Sequence, residues 1–225
     1  MLAVLFLSSP AGAELETSLG LASEDRFRGV AASGGRPVAV LDVSLDDVAG
    51  PYLGGSITLR APGHDGARVK SWIAYAGYAH RFGSGVGIDA GMSYRRYPAR
   101  LGLPYGDEII EAFLGAVVRG GAVHVFFSPD YDGRGRDALY SQVEASVVER
   151  PGWRIAARFG LLLPPRAPGY GGPMVKPDWT IGLVVPRGRV DFSADYDGEG
   201  KEYGRRWQRR DYGRTAFVIG ARYHF

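Results

Sequence analysis

The sequence predicts an all-β protein, a twelve-stranded antiparallel up-and-down transmembrane β-barrel, on three observations. Segments of about ten residues alternate apolar and polar positions, one row staying apolar while the other carries charge. Short Gly/Pro turns and longer loops alternate between these segments. The 225 residues include 34 Gly, 13 Tyr and 4 Trp, which favours turns and strands over helices. No segment offers the ~20 continuous apolar residues of a spanning helix, so membrane residence requires a closed barrel, in which every backbone polar group is satisfied.

The strands follow in order. Leu15–Ser23 comes first, with Leu15, Thr17, Leu19 and Leu21 outward, and Glu24–Arg36 is a long polar loop. Val38–Val48 and Tyr52–Arg60 join across Ala49-Gly50-Pro51; Val69–Phe82 and Val86–Tyr97 join across Gly83-Ser84-Gly85. After a loop at Pro98–Gly106, one strand ends at Val118, turns at Arg119-Gly120-Gly121 and returns to Ser128. Pro129–Arg136 leads to Ala138–Val148, the turn Arg150-Pro151-Gly152 and Trp153–Leu163. Pro164–Pro177 is a Pro/Gly loop that a central sheet would not accept. Asp178–Val185, Pro186-Arg187-Gly188 and Arg189–Tyr196 follow, then the charged loop Asp197–Tyr212 and a closing strand that ends at Phe225. The even count leaves both termini on the short-turn side, the asymmetry of bacterial outer-membrane barrels.

Facing decides between a soluble and a membrane barrel. The outward rows read Leu41, Val43, Leu45; Leu53, Ile57, Leu59; Val86, Ile88, Ala90, Met92; and Ile155, Ala157, Phe159, Leu161. The inward rows carry Asp42, Arg60, Asp89, Arg95, Glu111, Gln142, Glu144, Arg154, Arg158, Asp191, Asp195 and Arg222. Burying so many ions in a dry core costs several kcal/mol each even when paired, whereas a wet or networked lumen tolerates them. A lipocalin-like barrel needs the opposite facing. Trp72, Tyr78, Phe82, Tyr94, Trp153, Trp179 and Tyr223 lie near strand ends, as interfacial girdles do.

Two functional readings of the lumen stay open. Arg60, Asp89, Arg95, Glu111, Glu144, Arg154, Arg158, Asp191 and Arg222 are candidates for rings that set ion selectivity; the same residues also suit salt-bridge networks that fill a narrow barrel. Arg26 and Arg28, beside Gly29, offer either an inward loop that pairs with lumen carboxylates or a structural anchor.

Other features narrow the class. Met1–Ser9, Pro10 and Ala11-Gly12-Ala13 read as a secretory leader over 1–13, truncated at its start, which leaves 14–225 as a single barrel domain. With no Cys there is no thiolate site, and the four His are scattered without metal-ligand spacing, so no metal and no cofactor is expected. A dispersed net charge of +3 argues against nucleic acid. Expected partners are outer-membrane lipid and small polar solutes or ions; the oligomeric state is open. Gly63-His64-Asp65-Gly66 and Asp130–Asp132 suit either rim calcium or solvated loops. An outer-membrane lipid hydrolase would need a Ser-His-Asn-type site on the outer wall; the chain has no Asn, and His124 with Ser141 or Ser146 is the nearest pair.

The last strand places Thr215, Phe217, Ile219, Ala221, Tyr223 and Phe225 on one face and ends on an aromatic residue, which resembles the closing strand of bacterial outer-membrane barrels. That resemblance implies that Phe225 belongs to the signal read by the barrel assembly machinery. Leu-Ala-Ser-Glu-Asp-Arg-Phe-Arg-Gly-Val at Leu21–Val30 resembles the start of TorF-type porins, the Gcw_chp family of bacterial outer-membrane proteins. Tyr75-Ala76-Gly77-Tyr78, Tyr94–Pro98 and Glu111 match further landmarks in order; Asp25 departs where the family has Tyr, and Ser71 and Ile73 where acids are common. The resemblance implies an outer-membrane barrel. The expected function is passive diffusion of ions or small polar solutes with weak selectivity; the alternatives are a closed structural or adhesive barrel and, behind it, the lipid hydrolase.

Overall fold

The chain forms a ring of antiparallel strands around a charged interior. The computed structural model describes residues 13–63, 66–97, 107–163, 175–200 and 215–225. The leader reading falls outside them apart from Ala13, as do His64 and Asp65. In order the strands are β1 (Glu14–Ala22), β2 (Arg26–Phe27), β3 (Val30–Ala31), β4 (Val38–Asp46), β5 (Pro51–Gly63), β6 (Gly66–Arg81) and β7 (Gly87–Arg96). They continue as β8 (Glu108–Val118), β9 (Gly121–Ser128), β10 (Ala138–Arg150), β11 (Trp153–Leu163), β12 (Lys176–Arg187), β13 (Val190–Glu199) and β14 (Thr215–His224).

Twelve of these close a barrel in the order β1-β14-β13-β12-β11-β10-β9-β8-β7-β6-β5-β4, the fold class the sequence predicts. Its seam joins Ser18–Ala22 of β1 to Gly220–His224 of β14.

The period-2 pattern sorts the side chains. Leu53 (56 %), Leu114 (59 %) and Phe217 (80 %) project from the outer wall, while inward Ser56 and Glu111 are each 6 % exposed. Large exposed apolar residues on every barrel strand form the band that lipid covers in such a barrel. Tyr78, Phe82, Trp153, Phe192 and Tyr223 lie exposed toward the short-turn end. Nearer the other end Trp72 packs on Tyr94, their ring centroids 4.8 Å apart.

Four departures from the sequence reading have local causes. The expected loop at 24–36 contains the β2–β3 hairpin. A bulge in β6 sets Thr58 opposite Ser71 but Leu59 opposite Val69, so Lys70 is the extra residue and both Lys70 and Ser71 are buried. A second bulge makes Val147 the extra residue of β10. β12 starts at Lys176 and so admits Pro177, whose carbonyl accepts from the Gly200 N–H (2.8 Å) past the end of β13.

Inward tyrosines need room against the wall. The ring of Tyr52 occupies the place where a Cβ on Gly77 would stand, and Tyr75 does the same at Gly54. Glycine at these two positions lets each ring lie against the neighbouring strand.

Candidate functional site

The site is the lumen and the hairpin that enters it. Phe27-Arg28-Gly29-Val30 is a two-residue turn with φ of 51° at Arg28 and 76° at Gly29, both positive as a type I′ turn requires. A non-glycine residue in that region costs about 1 kcal/mol, so the surroundings must hold Arg28 there. They do. Arg28 Nη2 donates to Glu111 Oε1 at 2.6 Å, and its guanidinium lies 3.9 Å from the Tyr140 ring centroid. Burial opposes the charge, yet Glu111 and the phenols of Tyr131 and Tyr140 raise the guanidinium above its ordinary value. Gly29 also sits tight on the wall: a Cβ there would stand 2.7 Å from Glu199 Cβ.

Arg26 anchors the other side. Its Nε donates to Asp197 Oδ1 at 2.6 Å, Nη1 to Glu24 Oε1 at 3.0 Å, and Nη2 to the Gly29 carbonyl. Asp197 belongs to β13 and Glu111 to β8, five strands apart around the ring. The hairpin therefore spans the lumen.

Val30, Ala32, Tyr97, Ile109, Tyr131, Ala138, Tyr140 and Leu162 pack into a small apolar cluster around it, with Phe27 and Phe126 against its edge. Tyr131 comes from the β9–β10 loop, and burial pushes its phenol up to about 12, although Arg28 pulls the other way.

Beneath Arg26, Arg158 joins a network: it reaches Asp178 at 3.0 Å, Tyr140 Oη at 3.0 Å, Thr180 Oγ1 at 2.9 Å and Asp197 at 3.6 Å. Toward the short-turn end, Tyr52 Oη donates to Asp89 at 2.5 Å and His124 Nε2 lies 3.3 Å from the same carboxylate. Arg222 meets Asp42 at 3.2 Å, His224 meets Asp191 at 3.4 Å, and Gln142 donates to Glu144 at 2.8 Å.

The sequence candidates thus separate. Arg28 and Glu111 meet directly; Asp89, Glu144, Arg158, Asp191 and Arg222 each have other partners. Arg95 lies under the hairpin, 4.2 Å from the Phe27 centroid. Arg60 is half-buried on β5. Arg154 lies four residues from Arg158 on β11, about 13 Å away at 3.3 Å per residue, so the two arginines do not share a level. Phe225 donates its N–H to Thr17 O at 3.1 Å and stays 70 % exposed.

Sequence reasoning missed Asp197, Thr180, Tyr52, Tyr140, Tyr131 and Lys70. Period-2 spacing places Tyr52, Tyr140, Thr180 and Asp197 inward but names no partner, and it places Lys70 outward, because only the β6 bulge turns that side chain in.

Residues of the remaining side readings have local partners of their own. His124 faces the lumen, whereas Ser141 pairs in register with outward Leu161, so these two do not meet on the outer wall. Asp130 accepts from the Gly135 N–H at 2.7 Å, and Asp132 is bonded by the Arg134 N–H and the Arg136 side chain. Among the described residues no group of three His, Asp or Glu is placed to hold a metal ion.

Comparison with known proteins follows the same lines. No curated protein matches the chain significantly. A solved structure described as "KdgM porin" superposes with a TM-score of 0.58 at 11 % identity, over 93 % of this chain and 99 % of that one. A second, "KdgM porin in complex with disordered oligogalacturonate", gives 0.54 at 11 % identity over 94 % and 99 %. These likenesses show a shared porin-type barrel fold. Residues 8–220 match the family described as "Bacterial protein of unknown function (Gcw_chp)", and the chain belongs to that family.

Proposed function

We propose that the protein is a porin-like channel of the TorF type in the outer membrane of a Gram-negative bacterium, passing ions or small polar solutes by diffusion with weak selectivity. One observation carries the reading: an apolar wall encloses an interior rich in charge of both signs, and the element that spans it is fastened by ion pairs. Paired charges suit a conduit that exchanges protein partners for water and solute. Signs that nearly balance favour modest selectivity. Lipid is the partner of the outer face, and Phe225 the proposed contact for the assembly machinery.

A second reading has its own support. The apolar cluster around the hairpin fills part of the lumen, as a closed structural barrel would.

Planar-bilayer recording of the refolded mature chain separates them. Steady single-channel steps in a protein that fractionates with outer membranes and shows heat-modifiable migration support the channel. A heat-modifiable barrel without conductance supports the closed form. Recovery as a soluble periplasmic monomer overturns both.

A further inference from the structure

Positive charge outnumbers negative on one side of the hairpin. Arg28 and Arg95 stand 4.8 and 4.2 Å from the Phe27 ring centroid. Lys70 Nζ stands 4.8 Å from the Tyr97 centroid, and the rings of Phe27 and Tyr97 are 6.4 Å apart. Arg95 Nη1 reaches Tyr97 Oη at 3.4 Å. Arg60, inward on β5, adds its field to that of Lys70.

Among the described residues, Glu111, bonded to Arg28, and Asp25, which acts on Lys70 without a hydrogen bond, stand against these four cations, while Asp178, which also acts on Arg28, is taken up by Arg158. Lys70 is 2 % exposed, and among the described residues neither its Nζ nor Arg28 Nη1 has a hydrogen-bond partner. Among the described residues neither Arg60 nor Arg95 makes an ion pair.

A buried ammonium without an acceptor is costly. Aromatic faces offset part of that cost through their quadrupoles, but they supply no lone pairs. The missing component is about two negative charges borne on oxygen.

We propose that Lys70, Arg95 and Arg60 form a binding subsite for a small dicarboxylate. The inference rests on one part of the channel reading, the open mouth through which a solute reaches the lumen, and not on a continuous bore. Guanidinium forks match carboxylates in shape, and one dianion balances the surplus. The bulge that turns Lys70 inward beside Ser71 builds the site. Solute arriving there displaces the Tyr97 ring, 4.8 Å from Lys70 Nζ.

Succinate is the probe, with butyrate as the single-charge control, titrated calorimetrically into the full chain refolded in detergent. The expected result is saturable succinate binding at least tenfold tighter than butyrate, weakened at least tenfold in Lys70→Met and several-fold in Arg60→Gln. Arg60 is half-buried, so its variant serves if Lys70→Met fails to show heat-modifiable folding. Succinate binding that both folded variants retain in full, or no saturable binding by wild type, overturns the site. The bilayer separates the two claims: conductance without succinate block or binding removes the subsite and leaves the channel, whereas succinate binding without conductance removes the channel and leaves the subsite.

Discussion

Glu111→Gln tests whether the hairpin is a latch. The substitution keeps the shape of the side chain and removes the charge that faces Arg28 Nη2 at 2.6 Å. Removing one partner of a buried pair costs about 3 to 5 kcal/mol, because the other charge is left uncompensated. Arg28 can also escape the penalty by swinging into water with the hairpin, so the in–out balance shifts outward by about 3 kcal/mol, roughly a hundredfold at 1.4 kcal/mol per decade.

Single-channel recording of refolded wild type and variant reads this shift as longer open times or larger conductance. Asp197→Asn supplies a ranking. Arg26 loses Asp197 but keeps Glu24 and the Gly29 carbonyl, so its hairpin should open less often than that of Glu111→Gln. Identical records for Glu111→Gln and wild type refute the latch, and so does the reverse ranking.

Arg placed at outward Ala90 or Ala157 should destabilise the inserted barrel by ~2 to 4 kcal/mol in refolding titrations. The inward comparison belongs at Ser44, which should tolerate Arg beside Asp46; at Gly91 even a Cβ would collide with the Ala76 carbonyl oxygen. Neutralising Arg154 and Arg158 together should move the reversal potential across a salt gradient toward cation preference, since removing fixed positive charge lowers the local anion concentration; an unchanged potential with normal conductance takes both out of the pathway. Tyr131 has its pKa raised by burial to about 12, above the ordinary value near 10, so its contribution is intact below about pH 10 and is lost as pH rises toward 12. Loosening of the β9–β10 loop over that window, read by proteolysis, should therefore be smaller in Tyr131→Phe.

The strands were legible because their signal is local and repeated. Rows such as Leu41-Val43-Leu45 fix face and register within a few residues. Strand limits were less so: Pro177 enters β12 because its carbonyl has a distant acceptor's role toward Gly200, and the bulge at Lys70 depends on β5. Of the site, the motif around Arg26 and Arg28 and the inward acids could be read. Their pairing could not. Arg28 meets Glu111 across 83 positions and Arg26 meets Asp197 across 171, separations set by where strands lie around the ring. Tyr52 and Tyr75 fall inward by period, yet nothing local says that Gly77 and Gly54 receive them.

The wall itself is unevenly fastened. β1 meets β14 over five register pairs, whereas every other neighbouring pair of barrel strands has seven or more. The cause is the hairpin: after Ser23, whose N–H reaches Ile219 O at 2.9 Å, the chain leaves the wall for the interior and stops running beside the upper part of β14. A hoop held by one short clasp closes last, because joining the two ends of a chain pays its loop entropy only once the rest is in place. It also frays first. Drawing the hairpin out would free Ser23–Asp25 to run on beside Ile219 and Phe217, lengthening the clasp as the bore widens. Ile219 N–H faces that side, toward Ser23 Oγ at 3.1 Å, and Phe217, two residues away, points the same way. Hydrogen exchange at these two amides should slow in Glu111→Gln; unchanged or faster exchange would mean that bore and clasp are independent.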